Sequence, residues 1–245
     1  MGSLLRVLRR RSALSGLLFV FAGTAFAGDI SEIHLQPDEV AIIGYGSLMN
    51  RESMERSLGH PYSREPIDIS LENWQRTWNV AMPNDAFYLS TPQGKVFPKK
   101  VAYLNIQKAP GKSMNATLFV IKRNELDAFN RREWIYNPVD LAENLKGAKI
   151  TGGPVIAYVG KEEYLVGPEI HFPEVGVRKS YFDTVENALA QKPQAYRDQF
   201  HSSTSRPSAQ PFADRKEEGT DPFGYEKLKK QAPAECEVNF AAIGK

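Results

Sequence analysis

The chain carries one cysteine, Cys236. A single thiol closes no intramolecular disulfide, so a disulfide-stapled fold is excluded. It follows a polar segment near the C-terminus and reads as a tail thiol rather than a nucleophile. Histidine is also scarce. His34, His60, His171 and His201 are scattered, none at metal-ligand spacing, and no metal site is expected. Two glycine signatures are incomplete. Gly44-Tyr45-Gly46 begins a dinucleotide fingerprint, but Met49 stands at the third glycine position. Ser47 lacks the flanking glycines of a hydrolase elbow, because Tyr45 and Met49 occupy those places. No internal repeat or low-complexity block is present.

An excess of one charge is missing too, once its location is considered. The formal net charge is +2. Arg6, Arg9, Arg10 and Arg11 precede an apolar stretch at 13–22, and Ala25-Phe26-Ala27 fits a small-x-small cleavage site. The apolar stretch is too short for a membrane span. The expectation is a signal peptide at 1–27, cleavage after Ala27, and export to the periplasm or outside the cell. Its removal leaves 218 residues with a formal charge of −2. No basic stripe then argues for nucleic acid, and no stable membrane anchor is expected.

That length suits one domain with a full core, placed at residues 28–203. From 204 to 245 the chain turns polar, with Pro207, Pro211, Pro222 and Pro233. This reads as an extended tail that wraps the domain or stays loose; Phe212, Phe223, Tyr225 and Phe240 are spaced to pin it.

What is present centres on two segments. Ile42-Ile43-Gly44-Tyr45-Gly46-Ser47-Leu48-Met49 reads as a buried strand ending in a tight turn. Glycine there permits close approach of a ligand, and such a turn can offer main-chain N–H groups to an anion or carbonyl. Residues 124–133 read as a short helix, with Asn124 as N-cap. Leu126, Phe129 and Glu133 share one face. A carboxylate in line with core residues is either drawn inside, where burial raises its pKa, or paired with Arg131 or Arg132. Strands are expected at 40–45, 101–106, 116–121, 136–141 and 155–159, and helices at 180–190 and 194–200. Strands first and helices later argue α+β, with an antiparallel sheet or barrel. Trp74, Trp78 and Trp134 read as core aromatics, and Asn115-Ala116-Thr117 is a glycosylation sequon by pattern.

Together these segments resemble the γ-glutamylcyclotransferase-like family, which includes AIG2-like and ChaC-like proteins. The resemblance rests on Tyr45-Gly46-Ser47-Leu48 after a strand, on Trp74, Arg76 and Trp78, and on a helix ending Arg132-Glu133 before Ile135-Tyr136-Asn137-Pro138-Val139. It implies a small, mostly antiparallel β-barrel with flanking helices. It implies that Tyr45, Gly46, Ser47 and Leu48 hold a γ-glutamyl group through backbone contacts and that Glu133 is the catalytic acid/base. The implied reaction releases 5-oxoproline from a small γ-glutamyl compound, without a cofactor. Trp134 departs from the pattern, since many members carry Gly there. The alternative is an exported binding or structural protein on the same scaffold.

Overall fold

The computed structural model describes residues 31–84, 87–167 and 169–216. The expected signal peptide, Cys236 and the later aromatics of the tail lie outside the described residues. In chain order the elements are β1 (Ser31–His34), β2 (Glu39–Gly44), α1 (Arg51–Leu58), β3 (Ile67–Pro83), β4 (Phe87–Thr91), β5 (Gly94–Val96) and β6 (Lys100–Lys122). There follow α2 (Leu126–Arg132), β7 (Tyr136–Asp140), β8 (Leu145–Lys146), β9 (Ala148–Thr151), β10 (Val155–Gly160), β11 (Val175–Arg178), α3 (Lys179–Ala190), α4 (Gln194–Ser202) and β12 (Pro211–Lys216).

The fold is α+β. The main sheet runs β5-β4-β12-β11-β6-β2-β10-β7, with β3 also on β6 and β8 on β3; β1 and β9 pair separately. The sheet is mixed: β2 lies antiparallel to β6 but parallel to β10, and β11 lies parallel to both β6 and β12. β2 is buried along its whole length. Ala41 and Ile43 face one core with Leu104 and Trp78, while Val40 and Ile42 face another with Phe119 and Phe129. A strand covered on both faces reads as a continuous apolar run rather than an alternation, as this one does.

β6 organises the site. β3 follows one of its edges from Lys100 to Leu118. The other edge carries β11 at residues 100–102 and β2 at residues 117–122. Leu104 falls between these two partners. Its N–H donates to the Tyr181 hydroxyl at 3.4 Å and its carbonyl accepts from the Tyr136 hydroxyl at 2.9 Å. Two tyrosines thus serve backbone groups that no strand reaches there.

Several sequence expectations change. Residues 101–106 and 116–121 belong to one strand of 23 residues. Residues 110–113 are exposed, and the register with β3 shifts there, from Lys108 opposite Trp74 to Ser113 opposite Glu72, before pairing resumes. The expected helix at 124–133 is α2, shorter and preceded by a 3-10 turn at Arg123–Glu125. Asn124 does not cap it; the Glu125 carboxylate accepts the Lys122 N–H at 2.7 Å instead. The stretch at 211–216, placed in the polar tail, is β12, seated between β4 and β11. Phe212 packs there against Phe172, ring centres 5.0 Å apart. Asn115 is 1% exposed and donates to the Tyr196 carbonyl at 2.7 Å, so the folded sequon presents no free amide to a glycan.

Candidate functional site

The apolar run of β2 ends at Gly44, and the chain folds back over it. A Cβ on Gly44 would stand 2.9 Å from the Leu48 carbonyl carbon, a backbone atom, so only glycine fits beneath the turn. Ser47–Met49 form a 3-10 turn closed by the Met49 N–H on the Gly46 carbonyl at 2.9 Å. The first N–H groups of such a turn have no acceptor within it and point away from its body. α1 starts immediately after, capped by the Asn50 side chain on the Ser53 N–H at 2.9 Å.

The structure brings Tyr45, Gly46, Ser47, Leu48 and Glu133 to the walls of one cavity, joined by Tyr136, Tyr158 and Tyr181. Their parts differ. Tyr45 is a buried wall whose hydroxyl is held by the Tyr158 carbonyl. Leu48 anchors the turn in the second core with Met54 and Phe129. Gly46 faces Tyr181; a Cβ there would stand 2.9 Å from the tyrosine hydroxyl. The space left measures about 20 Å³ to the centre of a water-sized sphere, room for roughly one water.

Glu133 ends α2, its N–H bonded to the Phe129 carbonyl at 2.8 Å. Both alternatives read from the sequence hold at once. The side chain is 14% exposed, and it pairs with Arg132 Nε at 3.0 Å. Burial pushes its pKa up and Arg132 pulls against this; burial prevails. Glu133 in turn raises Tyr45 and Tyr181, after the larger effect of their own burial. Among the described residues it is the one acid lining the cavity. A carboxylate raised toward neutrality can both accept and return a proton.

Two arginines complete the site. Arg132 donates to Ser47 Oγ at 3.0 Å, Ser53 Oγ at 2.8 Å and Ser57 Oγ at 2.8 Å. One guanidinium therefore ties the turn, α1 and Glu133 together, and the Ser47 hydroxyl is already engaged. Arg76 is fully buried. Its Nε donates to the Tyr45 carbonyl at 2.7 Å and its other nitrogens to Thr204 Oγ1 at 2.7 Å and the Asn115 carbonyl. Its guanidinium carbon lies 3.8 Å from the Phe200 ring centre. Sequence reading noted Arg76 in a motif but gave it no role. The signal was there: Asn73, at φ 66°, marks a bulge after which Trp74, Arg76 and Trp78 alternate inward. A cation in phase with two core aromatics is a buried cation.

Among the described residues no group of three His, Cys, Asp or Glu is placed to hold a metal ion. The lining supplies aromatic walls, one carboxylate and a backbone turn, a set suited to proton transfer around a small polar ligand.

No protein-family model matches the sequence, and no curated protein is significantly similar to it. Among solved structures, the chain is similar to one titled gamma-glutamyl cyclotransferase, at 12% identity and a TM-score of 0.44, covering 79% of this chain and 99% of that one. It is similar to YkqA from Bacillus subtilis, at 13% identity and a TM-score of 0.47, covering 70% of this chain and 56% of that one. A glutathione-specific gamma-glutamyl cyclotransferase from yeast shows 16% identity, a TM-score of 0.42, and coverage of 68% and 97%. These are distant likenesses, with identities of 12–16% and TM-scores below 0.5.

Proposed function

We propose that the protein releases 5-oxoproline from a γ-glutamyl amine, amino acid or peptide. The observation that carries this reading is Glu133, a mostly buried carboxylate of raised pKa lining one cavity with the turn at 45–48. A γ-glutamyl compound contains its own nucleophile. Glu133 takes a proton from the α-ammonium, and the freed amine attacks the γ-carbonyl carbon to close a five-membered ring. Main-chain N–H groups of the turn receive the developing oxyanion. The bond to the leaving amine then breaks as protonated Glu133 returns its proton to that nitrogen, and Glu133, ionised again, passes the ring nitrogen's surplus proton to the freed amine, which departs as an ammonium. Atoms balance without water or cofactor. Holding the substrate folded in the attack geometry supplies much of the acceleration.

Glu133→Gln keeps size and removes the proton carrier. Purified protein incubated with γ-glutamyl compounds is assayed for 5-oxoproline by mass spectrometry. The substitution is expected to slow release about a hundredfold to ten-thousandfold, with folding retained. A fall within about threefold excludes Glu133 as the base.

One observation favours a second reading, a binding or structural protein on this scaffold: the cavity as it stands admits only about one water. Failure of the parent protein to form 5-oxoproline from any compound tested puts that reading ahead.

A further inference from the structure

A larger space lies beyond the closed cavity. It measures about 560 Å³, bounded by α3, α4 and the stretch leading into β12, with Trp78, Phe182, Val185 and Phe200 as apolar walls. Small-molecule sites span about 300–1,000 Å³, so this one is of the right size and the closed cavity is not. Leu104 lines both spaces. Tyr181 separates them. On one side its hydroxyl covers Gly46 and meets the Leu104 N–H. On the other its ring meets Trp78 edge-on, centres 5.7 Å apart, and the next residue, Phe182, stacks on the same indole at 6.1 Å. Two charges line the larger space, Arg206 and Glu186, and neither forms an ion pair among the described residues.

We propose that this larger space takes the leaving part of the γ-glutamyl substrate, an amino acid with a bulky apolar side chain, and that the Tyr181 ring is the partition that moves off Gly46 when substrate enters. This rests on the γ-glutamyl cyclotransferase reading. The glutamyl half lies against the turn and Glu133, and the scissile amide sits at the partition. The leaving side chain packs among Trp78, Phe182 and Phe200, where aromatic faces reward size. Arg206 receives its carboxylate. Glu186 repels an acidic leaving group. The partition also accounts for the small closed cavity: without substrate, the Tyr181 ring fills the passage.

The test compares kcat/KM for γ-glutamylphenylalanine, γ-glutamylleucine, γ-glutamylglycine and γ-glutamylglutamate on the full protein, following 5-oxoproline. Phenylalanine and leucine derivatives are expected to exceed the glycine derivative by about tenfold to hundredfold, and the glutamate derivative is expected to be the poorest. Gln210, an exposed residue lining the space, is replaced by tryptophan to fill it. The phenylalanine-to-glycine ratio should then fall by about tenfold or more. Glu186→Trp is a second filling variant from α3, for use if the first melts early by circular dichroism. Equal kcat/KM for the phenylalanine and glycine derivatives, or a ratio unmoved in a folded filling variant, overturns the inference while leaving the γ-glutamyl reading standing. If none of the four releases 5-oxoproline the inference falls, and the γ-glutamyl reading falls with it only when γ-glutamyl amines and peptides release none either.

Discussion

Replacing Arg76 by methionine asks whether a buried guanidinium holds this fold or merely occupies it. Arg76 is 0% exposed and has no ion pair among the described residues. Burial pushes its pKa down to about 9, still high enough to keep it a cation at neutral pH. The loss is countable. The Tyr45 and Asn115 carbonyls lose a charged donor, and a buried acceptor left unpaired costs about 1–3 kcal/mol. The contact with Phe200 at 3.8 Å adds about 2 kcal/mol for a desolvated cation over a ring. Thr204 contributes little, because its hydroxyl keeps the Phe200 carbonyl at 2.5 Å. Against this, methionine removes the cost of desolvating a charge, an exchange worth about 1–4 kcal/mol where buried ions have been replaced by apolar side chains. The balance is a destabilisation of roughly 3 kcal/mol. For a domain of this size each kcal/mol moves Tm by about 2–4 °C, so a fall of roughly 6–12 °C is expected. Urea denaturation followed by tryptophan fluorescence, with m unchanged, measures it. A midpoint equal to or above the parent's would refute the reasoning, showing that desolvation of the guanidinium outweighs its hydrogen bonds.

Arg132→Met removes the cation that opposes the burial-raised pKa of Glu133. The base works ionised, so the acid limb of the pH–rate profile should move to higher pH; an unmoved limb means that Arg132 does not set this pKa. The same sign governs stability: Glu133, with its folded pKa raised, favours the folded state at low pH, and that contribution is lost as pH rises through the raised value. Gly44→Ala should destabilise more than Gly46→Ala in thermal melts, because the new Cβ meets backbone at 2.9 Å in the first and the end of the Tyr181 side chain at 2.9 Å in the second. The reverse order would mean that the turn yields more easily than the tyrosine. Export with cleavage after Ala27 is proposed from sequence; N-terminal sequencing of the exported protein should read Gly28-Asp29-Ile30, and an intact Met1 on a soluble product removes the claim.

What the sequence could reveal followed local periodicity. β2 and its glycine turn were legible because apolar burial on both faces and the need for a small residue leave marks within eight positions. α3 and α4 were legible from their apolar spacing. The long pairing of β3 with β6 was not, because the exposed Pro110-Gly111-Lys112-Ser113 stretch reads as a turn, whereas the strand pairs on both sides of it with only a shift of register. Nor was β12, whose side chains are mostly exposed or half-buried; its place depends on β4 and β11, far away in sequence. At the site, Glu133 stood out by its phase with Leu126 and Phe129. The tyrosine cage did not, since Tyr45, Tyr136, Tyr158 and Tyr181 come from four separate segments and only the sheet order brings them together.

Asp214 on β12 is 4% exposed at its side chain, accepts from Arg178 Nε at 2.9 Å, and receives the Ser180 N–H at 2.8 Å at the start of α3. Its carboxyl is held low: burial opposes this, but the Ser180 hydrogen bonds and Arg178 outweigh it. The helix that begins there carries Tyr181 on its next residue. A wall of the cavity is therefore clamped by nearly the last described residues of the chain, whereas the turn that it covers lies near the first. During synthesis the turn and the Glu133 helix emerge long before the residue that clamps the start of α3. Cutting the chain between residues 203 and 211 would leave the chemistry-bearing residues on one piece yet free the start of α3 from its clamp. The completeness of this site is thus a property of chain closure, and limited proteolysis near β12 would be felt first at Tyr181.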